Sequence, residues 1–261
     1  MSARVLVLAG KDPTGGAGVD ADLEALAAAG CTGDAVVTNE TDQDGVRVRS
    51  VRAVPAATWT KAARERFGPR TLAIKTGLVS SAEQVRALGG LVEELRVASG
   101  RELAVVVDPV LAASGGEVFL DEEGRGALLL ALRSFDAILT PNLPEAAALV
   151  GAALEELVSD VDARERVAAQ LLDLGARAVV LKGGHGNEDP VVDLVVERSA
   201  SGAPTSTRLL RPRIRGAAIH GSGCRFASFL AGRVALGDPL AEAVRRAGAY
   251  LGGLLATTRS R

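Results

Sequence analysis

Gly10-Lys11-Asp12-Pro13-Thr14-Gly15-Gly16-Ala17-Gly18 stands between an apolar run, Arg4–Ala9, and an Ala/Leu-rich stretch from about Val19 to Ala29. A strand that passes through a glycine-rich turn into a helix is the opening unit of a parallel α/β sheet. Glycines at that junction let the backbone approach a ligand closely at the carboxyl edge of the sheet. The spacing is not the dinucleotide fingerprint G-x-G-x-x-G, and the Gly-Lys-Ser/Thr ending of a P-loop is missing. On spacing alone the loop reads equally well as a ligand cradle or as a turn without chemistry.

The same alternation continues downstream. Ala35–Thr38, Leu72–Lys75, Ala104–Val107, Ala137–Leu139 and Ala178–Lys182 are short and almost continuously apolar, as strands buried on both faces are. Ser81-Ala82-Glu83-Gln84 offers a capping box before Val85 to Val97, and Ser159-Asp160-Val161-Asp162 offers another before Val167 to Leu174. Val46-Arg47-Val48-Arg49 alternates with period two and reads as a half-exposed edge or lid strand. Leu194-Val195-Val196 and Arg208-Leu209-Leu210 flank the polar turn Ser199–Pro204, which predicts an antiparallel hairpin. No repeat, low-complexity tract or linker interrupts the pattern. Residues 1–261 are therefore expected to form one domain, three-layered α/β/α around a mostly parallel central sheet, with a small β flap.

Composition narrows the partners. Thirty basic residues against 32 acidic ones give a formal charge of −2, so there is no basic field to concentrate nucleic acid or an anionic membrane. Cys31 and Cys224 are too few and too distant for a disulfide framework, which suits a reducing cytoplasm. No apolar stretch approaches the roughly 20 residues of a membrane span, and Val5 to Ala9 is shorter than a signal-peptide core. A small-molecule partner is expected.

Three further constellations follow strand ends. Thr140-Pro141-Asn142-Leu143-Pro144-Glu145 opens a helix that Asn142 can cap; Glu145 could serve that helix or hold a magnesium ion through water. In Lys182-Gly183-Gly184-His185 the lysine could place a point charge on a phosphate, or the segment could be a plain tight turn with His185 as a loop residue. Gly221-Ser222-Gly223-Cys224 precedes the helical pattern Phe226 to Leu236. Its backbone N–H groups would form a nest for an anion, and the helix N-terminus would lower the thiol pKa of Cys224; the bland alternative is a small buried cysteine.

Taken in chain order, Ala9–Leu23, Lys75-x-Gly77, Val107-Asp108-Pro109-Val110, Thr140–Ala146, Lys182–His185 and His220–Cys224 resemble the ribokinase-like superfamily. Within it they are most similar to the hydroxymethylpyrimidine/phosphomethylpyrimidine kinases of thiamine biosynthesis. The resemblance spans essentially the whole chain and implies an ATP- and magnesium-dependent kinase, a homodimer, acting on an aminopyrimidine. It places Gly10, Ala17, Asp22, Gln43 and Leu78 at the pyrimidine, with Asp22 paired to the ring nitrogen and exocyclic amine. It places Asn142, Lys182 and Gly183 at ATP, and Glu145 and Asp108 at the metal. Gly221, Ser222 and Gly223 become the anion hole, and Cys224 the base for the substrate hydroxyl.

The chain departs from that pattern near the site. Lys11 replaces a small hydroxyl residue, Asp44-Gly45 an Asn-Thr pair, Ala113 a lysine, Gly216 to Ile219 a polar run, and Arg225 a threonine. These changes remove hydroxyl and cationic contacts to phosphate, which Lys11 or Arg225 could restore from another direction. Two alternatives stay open: a pyridoxal/pyridoxine kinase of the same superfamily, and a non-catalytic pyrimidine-binding protein with a degenerate phosphate site.

Overall fold

The N-terminal apolar run becomes β1 (Arg4–Lys11), and its alternate residues separate the molecule into two cores. Leu6 and Leu8 face one hydrophobic cluster and Val5, Val7 and Ala9 the other, all of them essentially solvent-free. Each buried Val or Leu side chain contributes roughly 1.5–3 kcal/mol of burial free energy, which is why a period-two strand demands helices on both faces. The computed structural model describes residues 2–45, 47–113 and 115–259.

In chain order the elements are β1, α1 (Gly18–Ala28), β2 (Thr32–Gln43), β3 (Val48–Ala53), α2 (Ala56–Arg66), β4 (Thr71–Thr76), α3 (Ala82–Ser99) and β5 (Ala104–Val107). There follow α4 (Glu122–Phe135), β6 (Ile138–Leu139), α5 (Leu143–Val150), α6 (Leu154–Ser159), α7 (Val161–Asp173) and β7 (Ala178–Leu181). The chain closes with β8 (Val191–Arg198), β9 (Pro204–Arg211), α8 (Ser222–Ala235) and α9 (Leu240–Arg259). The sheet order is β3-β2-β1-β4-β5-β6-β7-β8-β9. The strands from β2 to β7 in that order pair in parallel, while β3 at one edge and β8 and β9 at the other are antiparallel. Helices α1, α8 and α9 cover one face, and α2, α3, α4, α5 and α7 the other.

The expected strands and the β8–β9 hairpin are present. The alternating segment begins its strand at Val48, and Val46 lies outside the described residues. Ser81 caps α3 by accepting from the Gln84 N–H at 3.2 Å, but Gln84 does not complete the box on Ser81. Its side chain instead accepts from the Ser80 N–H and donates to the Thr38 carbonyl, acting as a buried bolt between α3 and β2. The second expected cap also shifts: Ser159 ends α6, and Asp160 alone caps a helix that begins at Val161, a turn and more before the expected start. The apolar periodicity marked only the buried middle of α7, where Val167, Ala168, Leu171 and Leu172 face the core.

Candidate active site

At the carboxyl end of β1 the glycine-rich loop folds around Asp12. One carboxylate oxygen accepts from the Thr14 N–H at 2.8 Å, and the other accepts from the Ala17 N–H at 2.8 Å and lies 2.9 Å from His220 Nε2. Burial alone would raise the Asp12 carboxyl, but these donors leave it below the usual carboxylate range. Gly18 has φ +62°, and a Cβ there would lie 2.2 Å from the Gly10 carbonyl oxygen. A Cβ on Gly10 would run into Leu78, so the expected Gly10–Leu78 neighbourhood is a close-packed wall. Ala17 and Gln43 also line the cavity.

Gly221 takes the left-handed conformation that starts α8, with φ +74°. A side chain there would strike the Gly16 carbonyl oxygen at 2.4 Å, so the turn rests directly on the glycine-rich loop. Gly223 presents bare backbone toward two charges: a Cβ would lie 3.4 Å from Lys182 Nζ and 3.7 Å from an Asp108 carboxylate oxygen. Cys224 lies in the first turn of α8, yet its thiol is not acidic. Burial pushes it up to about 11, with Asp22 and Asp108 adding to the shift, against the pull of Lys75 and the Gly18 N–H. The expectation of a lowered thiol pKa is therefore corrected, because desolvation outweighs the helix N-terminus.

Opposite this turn, Lys182 directly follows β7 and donates to Asp108 at 2.9 Å. Asn142 and Glu145 form a reciprocal capping box at the start of α5: Asn142 Oδ1 accepts from the Glu145 N–H, and Glu145 Oε2 from the Asn142 N–H. Burial, reinforced by Asp108, raises the Glu145 carboxyl to about 7 against the opposing Lys182 and Asn142 N–H. Lys182 thus pairs with Asp108 and acts on Glu145 through its charge alone, leaving two carboxylates beside one ammonium. That surplus of hard oxygen donors fits a magnesium ion, which keeps waters and takes only one or two protein carboxylates beside phosphate. Among the described residues no group of three or more His, Cys, Asp or Glu forms an all-protein metal cage.

These segments line one cavity of about 500 Å³ at the carboxyl edge of the sheet. Gly10, Ala17, Gln43 and Leu78 meet Asp108, Asn142, Glu145 and Lys182 there, with Gly221 to Cys224 between the two groups. Two expected site residues are not on the wall. Asp22 is fully buried, bound by Lys75 Nζ and Ser228 Oγ at 2.7 Å each, so its charge serves an internal pair rather than a ligand. Gly183 is pressed against β8, where a Cβ would lie 1.9 Å from the Val192 carbonyl oxygen, and its N–H donates to Asp193.

Among the departures, Lys11 and Ala113 line the cavity, and Lys11 is paired with Asp20. Asp44 lies in the β2–β3 turn and binds Arg49. Ile219 and Arg225 are off the wall, so Arg225 does not restore a phosphate contact. The Asp12–His220 pair escaped sequence reasoning because 208 residues separate its members and no local period links them. Its only signal was that each residue falls within one of the motifs read from the sequence.

A mostly parallel sheet between two helical layers, with a glycine-rich loop and the left-handed turn at Gly221 meeting a lysine and two carboxylates in one cavity, defines a ribokinase-like phosphotransferase. Solved structures agree. The phosphomethylpyrimidine kinase of Clostridium difficile 630 matches with TM-score 0.76 and 28% identity over 97% of this chain and 99% of that one. The Staphylococcus aureus pyridoxal kinase in complex with ADP matches with TM-score 0.82 and 28% identity over 98% and 88%. The chain belongs to the phosphomethylpyrimidine kinase family, whose profile matches residues 12–260, and it is a kinase.

Two curated relatives place it further. The hydroxymethylpyrimidine/phosphomethylpyrimidine kinase of Rhizobium meliloti is 35% identical over 252 residues, covering 96% of this chain and 90% of that protein. The thiamine biosynthesis bifunctional protein ThiED of Geobacter sulfurreducens is 37% identical over 248 residues, or 95% of this chain. This chain spans about half the length of that bifunctional protein, 48% of it. Among the described residues no helix is long and apolar enough to cross a membrane.

Proposed function

We propose that the chain transfers the terminal phosphoryl group of ATP to 4-amino-5-hydroxymethyl-2-methylpyrimidine and/or its monophosphate, with magnesium, in thiamine biosynthesis. The observation that carries this reading is the single cavity joining Gly10, Gln43 and Leu78 to the turn Gly221–Cys224 and to Lys182. Phosphoryl transfer needs positioning and charge stabilisation more than covalent help. The Gly10–Leu78 wall would receive a flat ring, and the Gln43 carboxamide carries both the donor and the acceptor that an amino-substituted ring edge requires. Lys182 would act as a point charge on phosphate, and the backbone at the start of α8 would receive the transferred group. Cys224, beside that turn, would take the hydroxyl proton once its own has left.

Asp108 and Glu145 are the residues that would hold magnesium, which when bound neutralises charge on the phosphate oxygens. A homodimer and a cytoplasmic setting belong to the same proposal; two unbridged cysteines and the open ladder of edge strand β3 accord with them. Sedimentation tests the dimer. The pyridoxal kinase reading draws on the structural match at TM-score 0.82, whereas Gln43 favours the aminopyrimidine. The deciding experiment measures ADP release with hydroxymethylpyrimidine, its phosphate, pyridoxal and pyridoxine. Turnover confined to the pyridoxal pair reassigns the substrate. Pyrimidine binding with no turnover makes the chain a binding protein.

A further inference from the structure

The two walls that must meet for transfer come from opposite ends of the chain. The loop 12–18 carries the substrate side and the turn 220–224 the anion side, and side chains join them. One joint is the Asp12–His220 contact. The other is Arg225, whose Nη1 donates to the carbonyl of Gly16 on the loop and, at 2.9 Å, to the carbonyl of His220 on the turn. Its Nη2 donates to Glu24 of α1 at 2.8 Å. The Arg225 side chain is only 10% exposed. The Gly16 carbonyl it grips is the atom against which Gly221 packs without room for a Cβ.

We propose that Arg225 is a positioning residue for phosphoryl transfer: its guanidinium fixes the spacing between the substrate loop and the anion turn without touching the reactants. A planar fork of donors fixes two carbonyls and a carboxylate in one rigid geometry, whereas a lysine's three donors rotate about a single point charge and a threonine has only one donor. The Glu24 pair, with Glu24 55% exposed, contributes little by itself, so the two carbonyls are the functional partners. The consequence is geometric. In-line transfer loses about 10²-fold for a misplacement on the order of 1 Å, even when the altered residue is remote from the chemistry.

The inference rests on the kinase reading, and the test separates the two. Arg225→Ala should lower kcat by about 10²-fold while the KM for ATP stays near the wild-type value. Guanidinium ion, well below denaturing concentrations, should restore part of that loss, which a merely structural defect would not allow. Arg225→Lys, which keeps the charge, covers the case in which the alanine variant does not fold; it should remain impaired. Hydrogen exchange should quicken at Gly16–Gly18 and Gly221–Gly223 while the strand cores stay protected. Wild-type kcat per folded molecule, or unchanged exchange in both segments, overturns the proposal. Should wild type turn over no pyrimidine, the pyrimidine reading fails on its own, and the exchange comparison still decides whether Arg225 fixes the spacing.

Discussion

Lys75 donates to Asp22 at 2.7 Å where solvent does not reach either side chain, and the second oxygen of Asp22 makes no hydrogen bond. Ser228 of α8 donates to the same oxygen as Lys75, so the pair ties α1, β4 and α8 together beneath the cavity. Removing one member of a buried pair strands the other, whereas replacing both with apolar groups is often neutral. Asp22→Asn should therefore lower the unfolding free energy by about 3–5 kcal/mol in urea titration. The double variant Asp22→Leu/Lys75→Met should recover most of it. Unchanged stability with weakened pyrimidine binding would return Asp22 to the substrate.

The Cys224 thiol, pushed up to about 11, is protonated in the free protein at neutral pH. If its thiolate takes the substrate proton, kcat/KM should climb with pH, with logarithmic slope near one between about pH 7 and about pH 10. The sign follows from the deprotonated form being the active one. Cys224→Ala should lose about 10²–10⁴-fold in turnover and flatten the profile, with pyrimidine affinity retained in calorimetry. A flat wild-type profile would remove the thiolate from the mechanism.

Arg164, wholly buried, grips Glu188 through two nitrogens at 2.7 Å each. Burial opposes ionisation of Glu188, but this fork and backbone donors including the Val192 N–H carry its carboxyl down to about 2. Because the folded value lies below the unfolded one, the pair's stability is present above about pH 4.5 and is lost as pH falls toward 2. The loss should be on the order of 3 kcal/mol. Glu188→Gln should abolish that acid-dependent part, read as the pH dependence of the urea midpoint.

Glu145 serves the capping box and lines the same cavity as Asp108, whose charge it feels. Glu145→Gln should raise the magnesium concentration for half-maximal initial rate by about tenfold or more at saturating ATP. Superimposable magnesium curves, with only a lower melting temperature, would leave Glu145 as a helix cap alone.

The strands were legible because burial on both faces writes itself as unbroken Val, Leu and Ala, and Ala104–Val107 has the limits read from the sequence. Helix starts were legible where one side chain answers one N–H, as at Ser81 and Asn142. What failed was any role set by a distant partner. Asp22 reads as a ligand until Lys75 is placed beside it, and Arg225 reads as a substitute phosphate contact until the Gly16 and His220 carbonyls converge on it. The thiol of Cys224 reads as acidic because sequence shows its place at a helix start but not the desolvation and carboxylates around it.

The bond from Arg225 to Gly16 spans 209 residues, and it has a consequence for biosynthesis. While the chain emerges from the ribosome, the sheet face bearing Val5, Val7 and Ala9 has only α1 to cover it, because Phe226, Ala227 and Leu230 of α8 are made only after every strand of the sheet. Until then the nascent protein carries bare apolar surface and half a cavity, a state prone to aggregation. Chains shortened from the C-terminus before α8 should therefore accumulate as insoluble material rather than as soluble, inactive enzyme.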